Sequence, residues 1–126
     1  MFEAINKNVS KATQFTQSEL EYFDSLLQLK IVPKKTLLLQ EGEICSFEAY
    51  INKGCTRTFY INENGFEVIL QFSTEDWWLS DIASFHEKKP SKLYIETLED
   101  CELIFLSLEN KEALLVKIPS LKKYIS

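Results

Sequence analysis

From Thr36 onward, turn signals cut the chain into segments too short for a helical bundle. The breaks fall at Glu41-Gly42-Glu43, Lys53-Gly54, Asn62-Glu63-Asn64-Gly65, Ser73-Thr74-Glu75-Asp76 and Glu99-Asp100. Between them the apolar period is two. Cys45, Phe47, Ala49 and Ile51 alternate with Ser46, Glu48, Tyr50 and Asn52, and Phe66, Val68, Leu70 and Phe72 alternate with Glu67, Ile69 and Gln71. Such runs are half-buried strands. Lys92 to Thr97 and Cys101 to Ser107 supply two more. Short strands at about ten-residue spacing indicate a β-sandwich or a jelly roll.

Helical patterns flank this middle. In Thr16-Gln17-Ser18-Glu19 a hydroxyl stands three residues before a glutamate, the arrangement of a capping box, and Leu20, Phe23 and Leu27 follow at helical spacing. Pro33 is expected to end that segment, which places a helix at about 16–29. Glu109 to Val116 reads as a helix, and Pro119 is expected to open a short last one running to Ser126. No repeat, low-complexity tract or linker interrupts residues 1–126, so the chain reads as one domain with its strands at about 30–107 and its closing helices at about 109–126.

Charge narrows the chemistry. The chain carries 14 basic and 19 acidic residues, a formal net charge of −5, and Arg57 is its one arginine. Affinity for nucleic acid rests mainly on neutralising phosphates, so a free-standing DNA binder is not expected. Arginine grips phosphate with two parallel hydrogen bonds, and this chain can build one such clamp at most. His86 is the one histidine, which excludes a histidine-rich metal site and leaves a Ser/His/Asp triad only one place to form. Cys45, Cys55 and Cys101 are odd in number and widely spaced, without a Cys-x-x-Cys pair, so they read as structural, mostly buried thiols. No apolar run reaches the roughly 18 residues of a membrane span, and Met1 to Lys11 lacks the centre of a secretory signal. A cytoplasmic protein without membrane contact is expected.

The ordered set Leu38-Leu39-Gln40-Glu41-Gly42-Glu43, Tyr50-Ile51-Asn52-Lys53-Gly54, Glu63-Asn64-Gly65-Phe66-Glu67 and Trp77 to Phe85 resembles the effector domain of Crp/Fnr-type bacterial regulators. The resemblance covers roughly Thr16 to Ile125. It implies a mainly β fold, the double-stranded β-helix jelly roll of cyclic-nucleotide-binding domains, with flanking N- and C-terminal helices. It also implies a sensor: a small ligand enters the jelly roll, and a long dimerisation helix passes the change to a helix-turn-helix. That long helix would be expected to begin where this chain stops, at Ser126, so DNA would be reached only through a domain absent from this chain, with a homodimer as the assembly.

In this family a Gly-Glu pair opens a short helix whose amides face the cyclic phosphate, the glutamate holds the ribose hydroxyl, and an Arg-Ser pair clamps the phosphate. The resemblance places Ser80 at the glycine position, Asp81 at the glutamate, the helix over Asp81 to Phe85 with Ile82 and Ala83 in it, and Ser91-Lys92 at the Arg-Ser pair. The apolar wall of the pocket is expected from Phe66, Val68 and Leu70 of the Phe66 to Phe72 strand and from Ile82. Every chemically decisive place departs from the pattern. Losing a charge-assisted bond to a buried anion costs about 1.5–3 kcal/mol, tenfold to over a hundredfold in affinity. Cyclic AMP is therefore expected to bind weakly or not at all, leaving an unknown small molecule or anion as the ligand. Lys88, Lys89 and Lys92 read as a solvated charge run. Asp81 is expected to cap the cassette helix itself.

The first cysteine is Cys45, which does not suit an N-terminal iron–sulfur cluster, and His86 reads as an exposed residue rather than a haem ligand. No cofactor or metal is expected. A cupin enzyme has a similar strand pattern but needs two or three histidines, so the protein is not expected to be an enzyme. The alternative to a sensor is a ligand-free interaction or dimerisation module on the same fold, marked by aromatic residues around Tyr22-Phe23 and Tyr124-Ile125.

Overall fold

Alternating strands acquire an architecture only through their partners, and here the pairing is nested. The computed structural model describes residues 1–123. Its strands are β1 (Gln28–Val32), β2 (Leu37–Leu39), β3 (Phe47–Lys53), β4 (Thr56–Ile61), β5 (Glu67–Ser73), β6 (Trp78–Leu79), β7 (Tyr94–Thr97) and β8 (Cys101–Ser107). β1 pairs with β8, β2 with β7, β3 with β6 and β4 with β5, all antiparallel. A long hairpin rolled up in this way is a jelly roll, closed by the β3–β8 and β4–β7 pairs into two sheets of order β1-β8-β3-β6 and β2-β7-β4-β5.

The middle strands of the first sheet, β3 and β8, are buried on both faces. Ala49, Ile51 and Leu103 enter the core between the sheets with Val32, Leu39, Phe85 and Ile95, while Tyr50 and Ile104 enter a second cluster under the helices. Successive residues of β3 and β8 thus serve opposite cores, as a period of two requires. Burial of each such aliphatic side chain contributes about 1.5–3 kcal/mol.

Four helices cover the outer side or cross the ends: α1 (Glu3–Ser10), α2 (Gln17–Ser25), α3 (Ile82–Glu87) and α4 (Leu108–Lys117), followed by a 3-10 turn at Pro119–Lys123. The capping box of α2 is formed, with Glu19 N–H donating to Thr16 Oγ1 at 3.1 Å and Thr16 N–H to Glu19 Oε1 at 2.9 Å. Ser107 caps α4 in the same way, accepting from Asn110 N–H. One expectation needs correction, and one helix was not expected. The helix placed at 16–29 ends at Ser25, because Gln28 to Val32 pair residue by residue with Phe105 to Cys101; Pro33 follows a strand, not a helix. A further helix, α1, precedes it, with Phe2, Ile5 and Val9 at helical spacing and Ile5 wholly buried. The expected end of the last helix and the surface at Tyr124-Ile125 lie outside the described residues.

The turn at Gly54 shows how tightly the roll is closed. Its φ is +112°, and a Cβ there would lie 2.5 Å from Cys101 Sγ and 3.1 Å from Cys101 Cα. Gly42 also has a positive φ but has no atom within 4 Å of such a Cβ. Gly54→Ala is expected to destabilise the fold by about 2–4 kcal/mol from overpacking and backbone strain, and Gly42→Ala by about 1 kcal/mol from strain alone. Urea unfolding midpoints compare the two directly.

Candidate functional site

The cassette leaves β6, turns at Ser80 and Asp81, forms α3 and returns through Pro90, Ser91 and Lys92 to β7. Asp81 is extended (φ −99°, ψ 95°), and its side chain governs both ends of this excursion. Oδ1 accepts from Ser84 N–H at 3.2 Å, capping α3, and Oδ2 accepts from the Ser91 hydroxyl at 2.6 Å. Ser91 Oγ in turn accepts from Leu93 N–H at 2.9 Å, and the residue is buried. Asp81 thus caps the helix, as its position predicted. Ser80 donates its hydroxyl to the Phe47 carbonyl at 2.9 Å.

Backbone bonds stitch the return segment to the loop after β2. Ser91 N–H donates to Glu43 O at 2.7 Å, and Gly42 N–H to Ser91 O at 2.8 Å. Ser84 takes two partners at once, accepting from Cys45 N–H and donating to Lys89 O. Lys88, with φ 57°, ends α3 in the left-handed region. Four of the cassette's candidate ligand contacts therefore have defined places: Ser80, Asp81 and Ser91 in internal hydrogen bonds, and Lys92 exposed beside exposed Lys88 and Lys89. Ala83 and Ile82 are exposed on the outside of α3.

The one guanidinium is engaged elsewhere. Arg57 pairs across the sheet with Glu96, one residue out of phase with the core residue Ile95, so it stands on the outer face of the second sheet. Its Nε donates to Glu96 at 2.8 Å, its Nη1 to Glu67 at 2.9 Å, and it stacks 4.1 Å over the Phe59 ring. These hydrogen bonds, Glu67 first and Glu96 second, push its pKa further up. Arg57 is thus a structural clamp joining β4, β5 and β7.

The expected pocket wall is open. β5 is an edge strand, and Phe66 and Leu70 are 67% and 55% exposed while Val68 is half-buried. Register shifts within β4–β5 between Thr58 and Phe59, which breaks the strict alternation read along Phe66 to Phe72. Ile82 lines a different space: a cavity on the outer side of the first sheet, shared with Phe15, Trp78 and Leu106.

Two groups escaped the sequence reading. Lys111 of α4 is buried, ion-paired to Glu48 of β3, with its ammonium 5.0 Å from the ring centre of Phe85 in α3. One side chain thereby joins three elements. In addition, Asp76 Oδ1 accepts from Tyr50 Oη at 2.5 Å and from Asn8 Nδ2 at 3.1 Å, and Asn8 Oδ1 accepts from the Trp78 indole at 2.9 Å, tying α1 to the sheet. Burial first, then Asp76, pushes the Tyr50 hydroxyl well up, and the bonds from Tyr50 and Asn8 hold the Asp76 carboxyl down. The three cysteines are free, and burial raises the pKa of Cys55 and Cys101. Among the described residues no helix is long and apolar enough to cross a membrane, and no group of three His, Cys, Asp or Glu is placed to hold a metal.

Residues 29–117 match the family model described as "Cyclic nucleotide-binding domain". The chain belongs to that family. This is a regulatory binding family and not an enzyme family. The chain is 24% identical over 111 residues, 88% of its length, to the cAMP-activated global transcriptional regulator CRP of Salmonella typhimurium, and those residues are 53% of that protein. It spans about half the length of the curated relatives it matches. The crystal structure of a cyclic nucleotide-binding domain from Methylobacillus flagellatus superposes with a TM-score of 0.83 at 21% identity, covering 95% of this chain and 68% of that one. The Thermus thermophilus catabolite activator protein gives a TM-score of 0.74 at 20% identity, covering 83% and 49%. The family match and these superpositions agree on the cyclic-nucleotide-binding jelly roll.

Lys111→Met leaves Glu48 without its partner at a largely buried position and is expected to destabilise the domain by about 3 kcal/mol. The double variant with Glu48→Gln is expected to recover most of that loss in urea unfolding. Asp76 has a lowered folded pKa, so its stabilisation is fully present above the unfolded carboxylate value and is lost as pH falls through the folded one. The melting-temperature gap between the wild type and Asp76→Asn is therefore expected to be constant near neutrality and to close on acidification below the ordinary aspartate range.

Proposed function

We propose that this domain senses a small molecule or anion as part of a Crp/Fnr-type regulator, and that cyclic AMP is not its ligand. The observation that carries this reading is the Asp81–Ser91 hydrogen bond at 2.6 Å. In the family pattern these two positions hold the ribose hydroxyl and the phosphate. Here they satisfy each other, and a cyclic nucleotide would have to break that bond without a guanidinium in return. Lys92 supports the same conclusion, because the residue is exposed to solvent.

Signal transfer in this reading runs through Lys111. A ligand that displaces α3 moves Phe85 under the Lys111 ammonium, and Lys111 ties α4 to β3 through Glu48. The device switches only if the ligand prefers one arrangement of α3 over the other. Transmission to DNA would use a helix-turn-helix outside this chain, in a cytoplasmic homodimer. A ligand-free interaction module is the second reading, favoured by the exposed side chains of Phe66, Leu70 and Phe72 at and beside the β5 edge.

Calorimetry tests the ligand reading. The wild-type domain is expected to show no saturable heat with micromolar cyclic AMP, and a dissociation constant in the low micromolar range or tighter would overturn the proposal. A variant rebuilt to the family pattern, with Ser80→Gly, Asp81→Glu, Ser91→Arg and Lys92→Ser, is expected to gain at least about tenfold in affinity. For the sensor against the interaction module, a thermal-shift screen with nucleotides and small organic anions decides, since a ligand specific to the folded form raises stability by mass action.

A further inference from the structure

On the far side of α3 from the jelly-roll interior lies a cavity of about 320 Å³, enclosed by α1, the loop after it, α2, α3 and α4 over the outer face of the first sheet. Its floor is apolar and buried: Phe23, Leu106, Leu114 and Leu121. Ala12, Ile82 and His86 are exposed and mark its mouth. An apolar cavity of about 150 Å³ already holds a benzene-sized molecule, and ligand pockets begin at about 300 Å³.

The cavity is not uniformly apolar. Glu48 and Lys111 both line it, and Lys111 is 3% exposed. Among the described residues the Lys111 ammonium has one hydrogen-bond partner, Glu48, and rests against the Phe85 ring, which leaves donor capacity on an ammonium that carries three N–H groups. Beside them the half-buried Glu48 carboxylate is an acceptor. A buried, under-used donor next to an acceptor, at the polar end of an apolar cavity, is the arrangement that orients a bound molecule.

We propose that this cavity is a second binding site, distinct from the cassette, for a small neutral and largely apolar molecule whose single hydroxyl accepts from Lys111 and donates to Glu48 while its ring or chain fills the space between Phe23, Leu106 and Leu114. An anion fits less well, because Glu48 faces the same space. The site shares Ile82 and His86 with α3 and Lys111 with α4, so occupancy would act on the same helices as a cassette ligand without touching Asp81 or Ser91.

The probe is p-cresol, and the reporter is the indole N–H of Trp78, which lines the cavity and donates to Asn8. In nitrogen-15 correlation spectra, p-cresol is expected to shift that resonance saturably. Toluene, which lacks the hydroxyl, is expected to bind about three- to tenfold more weakly. Ala12→Phe, which blocks the mouth, is expected to weaken p-cresol binding at least about tenfold. If Ala12→Phe does not fold, Thr13→Trp closes the same mouth. An unshifted Trp78 resonance overturns the site, as does equal binding by the blocked variant; equal binding of toluene overturns the hydroxyl's role at Lys111 and Glu48. Resonances of Asp81 and Ser91 report cassette binding separately, so this result is independent of the ligand reading above.

Discussion

The β3–β8 pair is the contact on which the rest of the structure depends. It joins Phe47 to Ser107 and continues to Lys53 and Glu102, in the middle of its sheet, and it feeds a core on each face. Ala49, Ile51 and Leu103 build the core between the sheets, and Tyr50 and Ile104 anchor the helices. A slip of one residue would exchange the two sets and leave both cores without a match, so each core enforces the register of the other. β1 adds to this pair from one side and β6 from the other, and β6 leads directly into Ser80 and Asp81. The geometry of the cassette thus descends from one strand pairing.

Within that frame the polar groups are used for closure. Asp81 caps α3 and receives Ser91, Arg57 joins β4, β5 and β7, and Lys111 links α4 to β3 while resting against Phe85. Each is a charge spent on joining elements of the fold. The consequence is that neither the Asp81 carboxylate nor the one guanidinium is left free: the first is satisfied within the cassette and the second is held by Glu67 and Glu96 on the outer face of the second sheet.

Much of the fold was legible because its signals are local. Period-two runs, close turn signals and the capping box at Thr16 and Glu19 describe backbone preferences that tertiary contacts reinforce. The strand at Cys101 to Ser107 and the helix following Ser107 were readable in this way. Where the reading failed, a long-range partner overruled a local signal: Leu27 continues the helical spacing, yet Gln28 to Val32 leave the helix to pair with β8. The α1 spacing of Phe2, Ile5 and Val9 was a signal that went unread. In the cassette the absence of arginine at Ser91 and the capping role of Asp81 were legible from residue type and position. The open state of Phe66 and Leu70 was not, since alternation along a strand does not reveal whether anything covers its inner face.

By itself the sequence determined the class of fold, the scarcity of phosphate-gripping groups and the departure of Ser80, Asp81, Ser91 and Lys92 from the family pattern, because these follow from residue identity and spacing along the chain. Only the tertiary structure decided that Asp81 and Ser91 meet, that Arg57 is bound by Glu67 and Glu96, and that Lys111 is buried at the end of an apolar cavity. Those facts depend on residues 10, 10, 39 and 63 positions apart being brought together by strand pairing and helix packing. Such contacts leave no periodic trace in the chain.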